Sequence, residues 1–92
     1  MRHHPYVRRS IDDHPMTADE VPPGDDGEHQ RVSWAVAISD DYEDAECRVV
    51  LTVEEVGRAG AGLVAHLAPP LARRLRVALR DALRELGEDP GA

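Results

Sequence analysis

The chain has 92 residues, a formal net charge of −7, one cysteine and no phenylalanine. A single cysteine excludes an internal disulfide, and no CxxC or Cys/His ligand set is present, so we expect a reducing cytoplasm and no bound metal or cofactor. No apolar run has the length of a membrane span, and "MRHHPYVRRSIDD" lacks the apolar core of a signal peptide. Membrane association is therefore not expected.

Residues 1–30 contain seven acidic residues, four histidines and four prolines, with hardly any regularly spaced apolar residues. This composition predicts a disordered N-terminal tail, because such a segment cannot bury enough apolar surface to offset its loss of conformational entropy. The predicted folded domain covers residues 31–87, and residues 88–92 are predicted to be a disordered C-terminal end. We therefore expect removal of residues 1–28 to leave thermal stability nearly unchanged.

The predicted domain begins with three short strands. "VSWAVAIS" (residues 32–39) and "CRVVLTVEEV" (residues 47–56) both alternate apolar and polar or small residues with a period of two, which is typical of strands with one buried face. The polar stretch between them favours an antiparallel turn. After the glycine-rich connector "GRAGAG", the segment "LVAHLA" (residues 63–68) alternates in the same way. The three segments predict an antiparallel meander.

A helix is predicted to follow the third strand. Pro69 and Pro70 suit its first turn, and Gly87 followed by Pro90 suits its end. At about 100° per residue, one side of this helix collects its leucines and several alanines. The expected fold is therefore α+β: a three-stranded antiparallel meander followed by one C-terminal amphipathic helix packed on one sheet face. The residues of the apolar helix side are Leu71, Leu75, Ala78, Leu79, Ala82, Leu83 and Leu86.

A stripe of arginines is predicted on the helix side opposite the leucines. Successive arginines four residues apart repel each other mildly, and an arginine in the first turn opposes the helix dipole. A pattern that breaks local rules suggests a binding surface, and the stripe also includes one apolar residue. Three interpretations stay open: a solvated face, a surface for a protein partner, and a surface for nucleic acid, which the net negative charge disfavours. The predicted partner-binding residues are Arg73, Arg76, Val77, Arg80 and Arg84.

The sheet face away from the helix is predicted to be a dimer interface. Four of its six residues are small and apolar, and one helix cannot cover both faces of a sheet. A second copy could cover this face or continue the sheet from an edge strand, and twofold pairing is the commonest solution. The predicted interface residues are Ala35, Ala37, Val50, Thr52, Val64 and His66.

Other candidate sites have simpler explanations. The acidic residues of "DDYEDAE" lack the spacing of an EF-hand, so a solvated loop is expected. His66 could join the free amides of the helix start in holding an anion, although a structural histidine is the commoner case. Cys47 has the parity of a buried, inert thiol.

No pattern of catalysis is present. The chain has no nucleophile with an adjacent base, no paired carboxylates on rigid elements and no glycine-rich phosphate loop leading into a helix. The sequence favours a small non-enzymatic interaction or accessory protein that acts as a homodimer and binds a protein partner. One alternative is a nucleic-acid-associated regulator of antitoxin type that uses the arginine stripe, and a weaker one is a binder of small anions or metals.

Overall fold

The computed structural model describes residues 8–24, 30–58 and 60–91. In this part of the chain four strands form one antiparallel sheet in chain order, and a helix follows the last strand, so the fold class is α+β. The elements are β1 (Arg8–Pro15), β2 (Val32–Ser39), β3 (Arg48–Glu55), β4 (Leu63–Leu67) and α1 (Pro69–Glu85), with a 3₁₀ helix at Ala18–Glu20.

The three strands predicted from hydrophobic alternation are β2, β3 and β4. Val36 of β2 pairs with Leu51 of β3, which in turn pairs with Ala65 of β4. Since side chains alternate between the two faces of a sheet, this register places the larger apolar residues of all three strands on one face. We call this the apolar face. Its apolar members are Val32, Trp34, Val36, Ile38, Val49, Leu51, Val53, Leu63, Ala65 and Leu67.

The fourth strand, β1, corrects the sequence prediction. Residues 8–15 were expected in a disordered tail, yet they form a strand that pairs antiparallel with β2, with one irregularity between Ser10 and Asp12. The sheet therefore has four strands rather than three. Residues 1–7 and 25–29, which also belong to the predicted tail, lie outside the described residues.

Contacts with Trp34 explain why so polar a segment forms a strand. The indole Nε1 of Trp34 donates a hydrogen bond of 3.2 Å to the Asp12 carboxylate. The His14 ring centroid lies 4.7 Å from that of Trp34. Backbone pairing with β2 satisfies the main-chain groups on the inner side of β1, and its polar side chains pack against the large indole of Trp34. Strand β1 is therefore stabilised by its contacts with β2, because apolar and polar residues do not alternate in its own sequence.

The bounds of α1 follow the predicted start and stop signals. Two prolines occupy its first turn, and Gly87 adopts a φ of 77° just after its end. The Gly87 amide donates to the Arg84 carbonyl at 2.9 Å, and the Glu88 amide donates to the Leu83 carbonyl at 2.9 Å. This is the Schellman pattern, in which a glycine in the left-handed region closes a helix. Among the strands, α1 contacts β3 and β4.

The described part of the chain has no buried apolar side chain. Its two buried residues, Ser39 and Asp40, are both polar. Burial of apolar surface is the main favourable contribution to folding, and a domain of this size has little of it to spare. The single chain thus has a sheet and a helix that both carry an apolar surface, and neither surface is fully shielded from water.

Gly62, directly before β4, allows the β3–β4 connection to lie close to β3. A Cβ atom at this position would overlap the Val53 carbonyl oxygen and the Glu54 backbone. We expect Gly62→Ala to lower the free energy of unfolding by about 2 kcal/mol, because backbone cannot move aside as a flexible side chain can. Urea denaturation at a fixed protein concentration measures this. Gly60→Asn is the control: the space beside it is open, so its loss is limited to the strain of a side chain at a φ of 84° and should be smaller. Equal losses in both variants would contradict the prediction.

Candidate interaction surfaces

A groove of about 430 Å³ runs between α1 and the apolar face. Its floor consists of side chains from β2, β3 and β4, and its wall consists of one side of α1. The segment 88–92, predicted to be disordered, contributes Pro90 and Gly91 to the lining. The other lining residues are Val36, Val49, Leu51, Leu67, Ala72, Leu75, Arg76, Leu79, Arg80, Leu83 and Arg84.

The groove changes the predicted role of the arginine stripe. Arg76, Arg80 and Arg84 line the same groove as three of the leucines, whereas the sequence predicts that they point away from the sheet. Arg73 and Val77 are exposed and do not line it. The physical reason is the rotation of α1 about its axis: the boundary between its leucines and its arginines faces the groove, so both kinds of side chain flank it.

The leucines of α1 and the first leucine of β4 are exposed. Leu86 is 76% exposed, Leu79 is 60% exposed, and Leu63 at the start of β4 is 82% exposed. Leu71 and Leu86 do not line the groove, so the apolar side of α1 extends beyond it. We call the exposed leucines of β4 and α1 the leucine surface. It consists of Leu63, Leu71, Leu75, Leu79, Leu83 and Leu86.

The opposite face of the sheet carries the six residues predicted as a dimer interface. They lie together in a shallow depression of about 400 Å³. Four further residues from β1, β2 and the β2–β3 loop line the same depression, so the strand missing from the sequence prediction also adds to this face. We call it the small-residue face. Its lining residues are Ser10, Ala35, Ala37, Ser39, Asp41, Tyr42, Val50, Thr52, Val64 and His66.

A polar network at one end of the small-residue face holds the β2–β3 loop against β4. The Tyr42 hydroxyl lies 2.9 Å from Nδ1 of His66, and the Arg48 guanidinium lies 4.6 Å from the centre of the Tyr42 ring. Arg48 also forms an ion pair with Asp44 at 2.7 Å. The hydrogen bonds from Arg48 and from the Glu46 amide hold the pKa of the Asp44 carboxyl well below its ordinary value. These contacts give His66 and Tyr42 structural partners.

Cys47 lies at the end of the β2–β3 loop. Cys47 is exposed, because β3 begins one residue later than predicted and Cys47 remains in the loop; the prediction of a buried thiol is wrong. In the described ranges, no group of three or more histidine, cysteine, aspartate or glutamate side chains could hold a metal ion. Within the same ranges, no helix is long and apolar enough to cross a membrane.

Comparisons with protein-family models, with curated proteins and with solved structures find no match to this chain. The function is therefore inferred from the surfaces of the chain.

Proposed function

We propose that this chain is a non-enzymatic protein-interaction module that acts as a homodimer, in which a second copy covers the leucine surface. The observation that carries the proposal is the absence of any buried apolar side chain in the described residues, although sheet and helix both present matching apolar surfaces. Leucines at helical spacing that stay more than one third exposed supply only part of the stabilisation that full burial would give. The same leucines against a second copy supply the missing core.

The exposed apolar side chains agree with this proposal. Six leucines of β4 and α1 are each more than one third exposed. An apolar surface of six large residues is also larger than the scattered leucines that ordinary monomers expose.

The charges of the groove favour a second copy as the occupant. Three arginines line the groove, and none of its described lining residues is acidic. Arg80 already pairs with Asp81 of its own chain at 3.1 Å. The chain as a whole has 18 acidic and 11 basic residues, so a second copy adds net negative charge opposite this basic groove.

A dimer through the small-residue face, as predicted from the sequence, has weaker support. Its side chains are small, and His66 already has a hydrogen-bonding partner in Tyr42. Small side chains bury less apolar area per residue than leucines, so this face contributes less to a dimer. It is the face that the dimer leaves available for another protein partner.

The experiment is light scattering coupled to size exclusion. We expect the wild type to have the mass of a dimer and Leu79→Asp to have the mass of a monomer, because a carboxylate replaces a leucine at the centre of the leucine surface. Val77→Asp is the matched control: it makes the same chemical change on the same helix, outside the groove. Val50→Arg tests the small-residue face and should leave the dimer intact.

Each other outcome contradicts part of the proposal. A monomeric wild type overturns the dimer, and dissociation by Val50→Arg alone moves the interface to the small-residue face. Binding of the wild type to a mixed-sequence DNA duplex, with an affinity that falls steeply as salt rises, would favour the regulator of antitoxin type instead, since phosphate contacts release counterions.

A further inference from the structure

The two edges of the sheet differ sharply in how they are protected. The outer strand β1 carries four charged residues within the segment "RRSIDDHP", ends in Pro15, and has a register irregularity at Ile11. Edge charges, proline and bulges are the means by which proteins prevent an edge strand from pairing with another chain. The β1 edge is therefore protected against pairing with another chain, and we call it the guarded edge.

The other edge strand, β4, has none of these features. Its sequence "LVAHL" contains no proline and no side chain with a permanent charge, and it pairs with β3 in unbroken register from Leu63 to Leu67. A regular apolar edge presents a row of unpaired backbone amide and carbonyl groups. Left in water on a monomer, such an edge is a site for association with another strand.

We infer that β4 is the strand through which two copies join, pairing antiparallel with β4 of the second copy to form one continuous eight-stranded sheet. This inference rests on the proposed dimer and names its contact. A twofold axis pairs a strand with itself only in antiparallel orientation, and full overlap of the five residues places Ala65 opposite Ala65 of the second copy. Leu63 then lies opposite Leu67 of the second copy.

The leucine surface follows from the same arrangement. Only Ala68 separates β4 from α1, and α1 contacts β3 and β4 among the strands. An axis at Ala65 therefore brings the two α1 helices close together on the same face of the continuous sheet. The leucines that do not line the groove, Leu71 and Leu86, gain a neighbouring apolar helix. Pairing of the two β4 strands thus supplies hydrogen bonds to the open backbone groups, and the approach of the two α1 helices buries exposed leucines.

The first test compares Leu63→Lys with Ile11→Lys by light scattering over a dilution series. Leu63 is 82% exposed and Ile11 is 54% exposed in the single chain, so neither change disrupts a core. We expect Leu63→Lys to raise the dimer dissociation constant at least about tenfold, because a charge on an edge strand opposes pairing. Ile11→Lys also places a lysine on an edge strand, at the guarded edge, and should leave the dimer dissociation constant unchanged.

The second test is cross-linking with a short bismaleimide, in which Cys47→Ser removes the native thiol. The Cys47→Ser/Ala65→Cys double variant should give a covalent dimer, and Cys47→Ser/Ile11→Cys should give almost none. A wild-type dimer that Leu79→Asp dissociates but that gives no cross-link at position 65 would overturn the β4 contact and leave the proposed dimer standing. No effect of Leu63→Lys would contradict both, because Leu63 also belongs to the leucine surface. A monomeric wild type would overturn both.

Discussion

The melting temperature of the wild-type chain should rise by about 4 °C for each tenfold increase in protein concentration, because unfolding and dissociation are coupled when the partner supplies the core. A monomer with its own core has a melting temperature independent of concentration. Circular dichroism melts from about 2 to about 200 µM cover the range in which the coupling shows. The expectation follows directly from the absence of buried apolar side chains in the described residues.

Two variants make this measurement specific. Leu79→Asp should melt at a lower temperature at every concentration and lose most of the concentration dependence, although Leu79 is 60% exposed in the single chain. An exposed leucine that has no partner costs little to replace, so a large effect reports contact with the second copy. Val77→Asp should keep the slope of the wild type. A flat dependence in the wild type, or equal effects of the two variants, would contradict a core shared between copies.

The elements with their own hydrophobic period could be predicted from the sequence. Strands β2, β3 and β4 alternate apolar residues, and α1 has prolines at its start and Gly87 after its end, so local sequence determines each of them. Strand β1 could not be predicted in this way, because its pairing with β2 and the contacts of Asp12 and His14 with Trp34 stabilise it. The lone tryptophan on the apolar face was the one sequence feature that indicated a further segment at this place, since a large indole in a small domain requires a neighbour to pack against.

The candidate surfaces were predictable to a similar extent. The residues of the small-residue face follow from strand parity, which fixes which side chains share a face. The place of the arginines does not follow from parity, because the helical wheel defines angles within α1 and leaves its rotation about the sheet open. Arg76 and Leu75 both line the groove for this reason. Packing against the sheet determines how a helix is rotated about its axis, and in the described residues α1 packs only loosely on the sheet.

Removal of residues 1–16, which deletes β1, should change both stability and assembly. The chain loses all backbone pairing along one side of β2 and the Asp12 and His14 contacts to Trp34. We expect the melting temperature to fall by at least about 5 °C, or roughly 1 kcal/mol for so small a domain. This reverses the expectation from the sequence alone, in which the segment is a disordered tail.

The assembly should change because deletion exposes a second open edge. Strand β2, "VSWAVAIS", has no charged side chain, so without β1 both edges of the sheet can pair with other copies. The truncated protein should therefore form species larger than a dimer, seen by light scattering as a mass that grows with concentration. Removal of residues 1–7 alone is the control, since it retains β1 and its four charges. A truncated protein with the mass of a dimer and an unchanged melting temperature would show that β1 neither protects the β2 edge from pairing nor supports Trp34. If Leu63→Lys in the truncated protein reduces the larger species to dimers, each edge joins copies independently of the other.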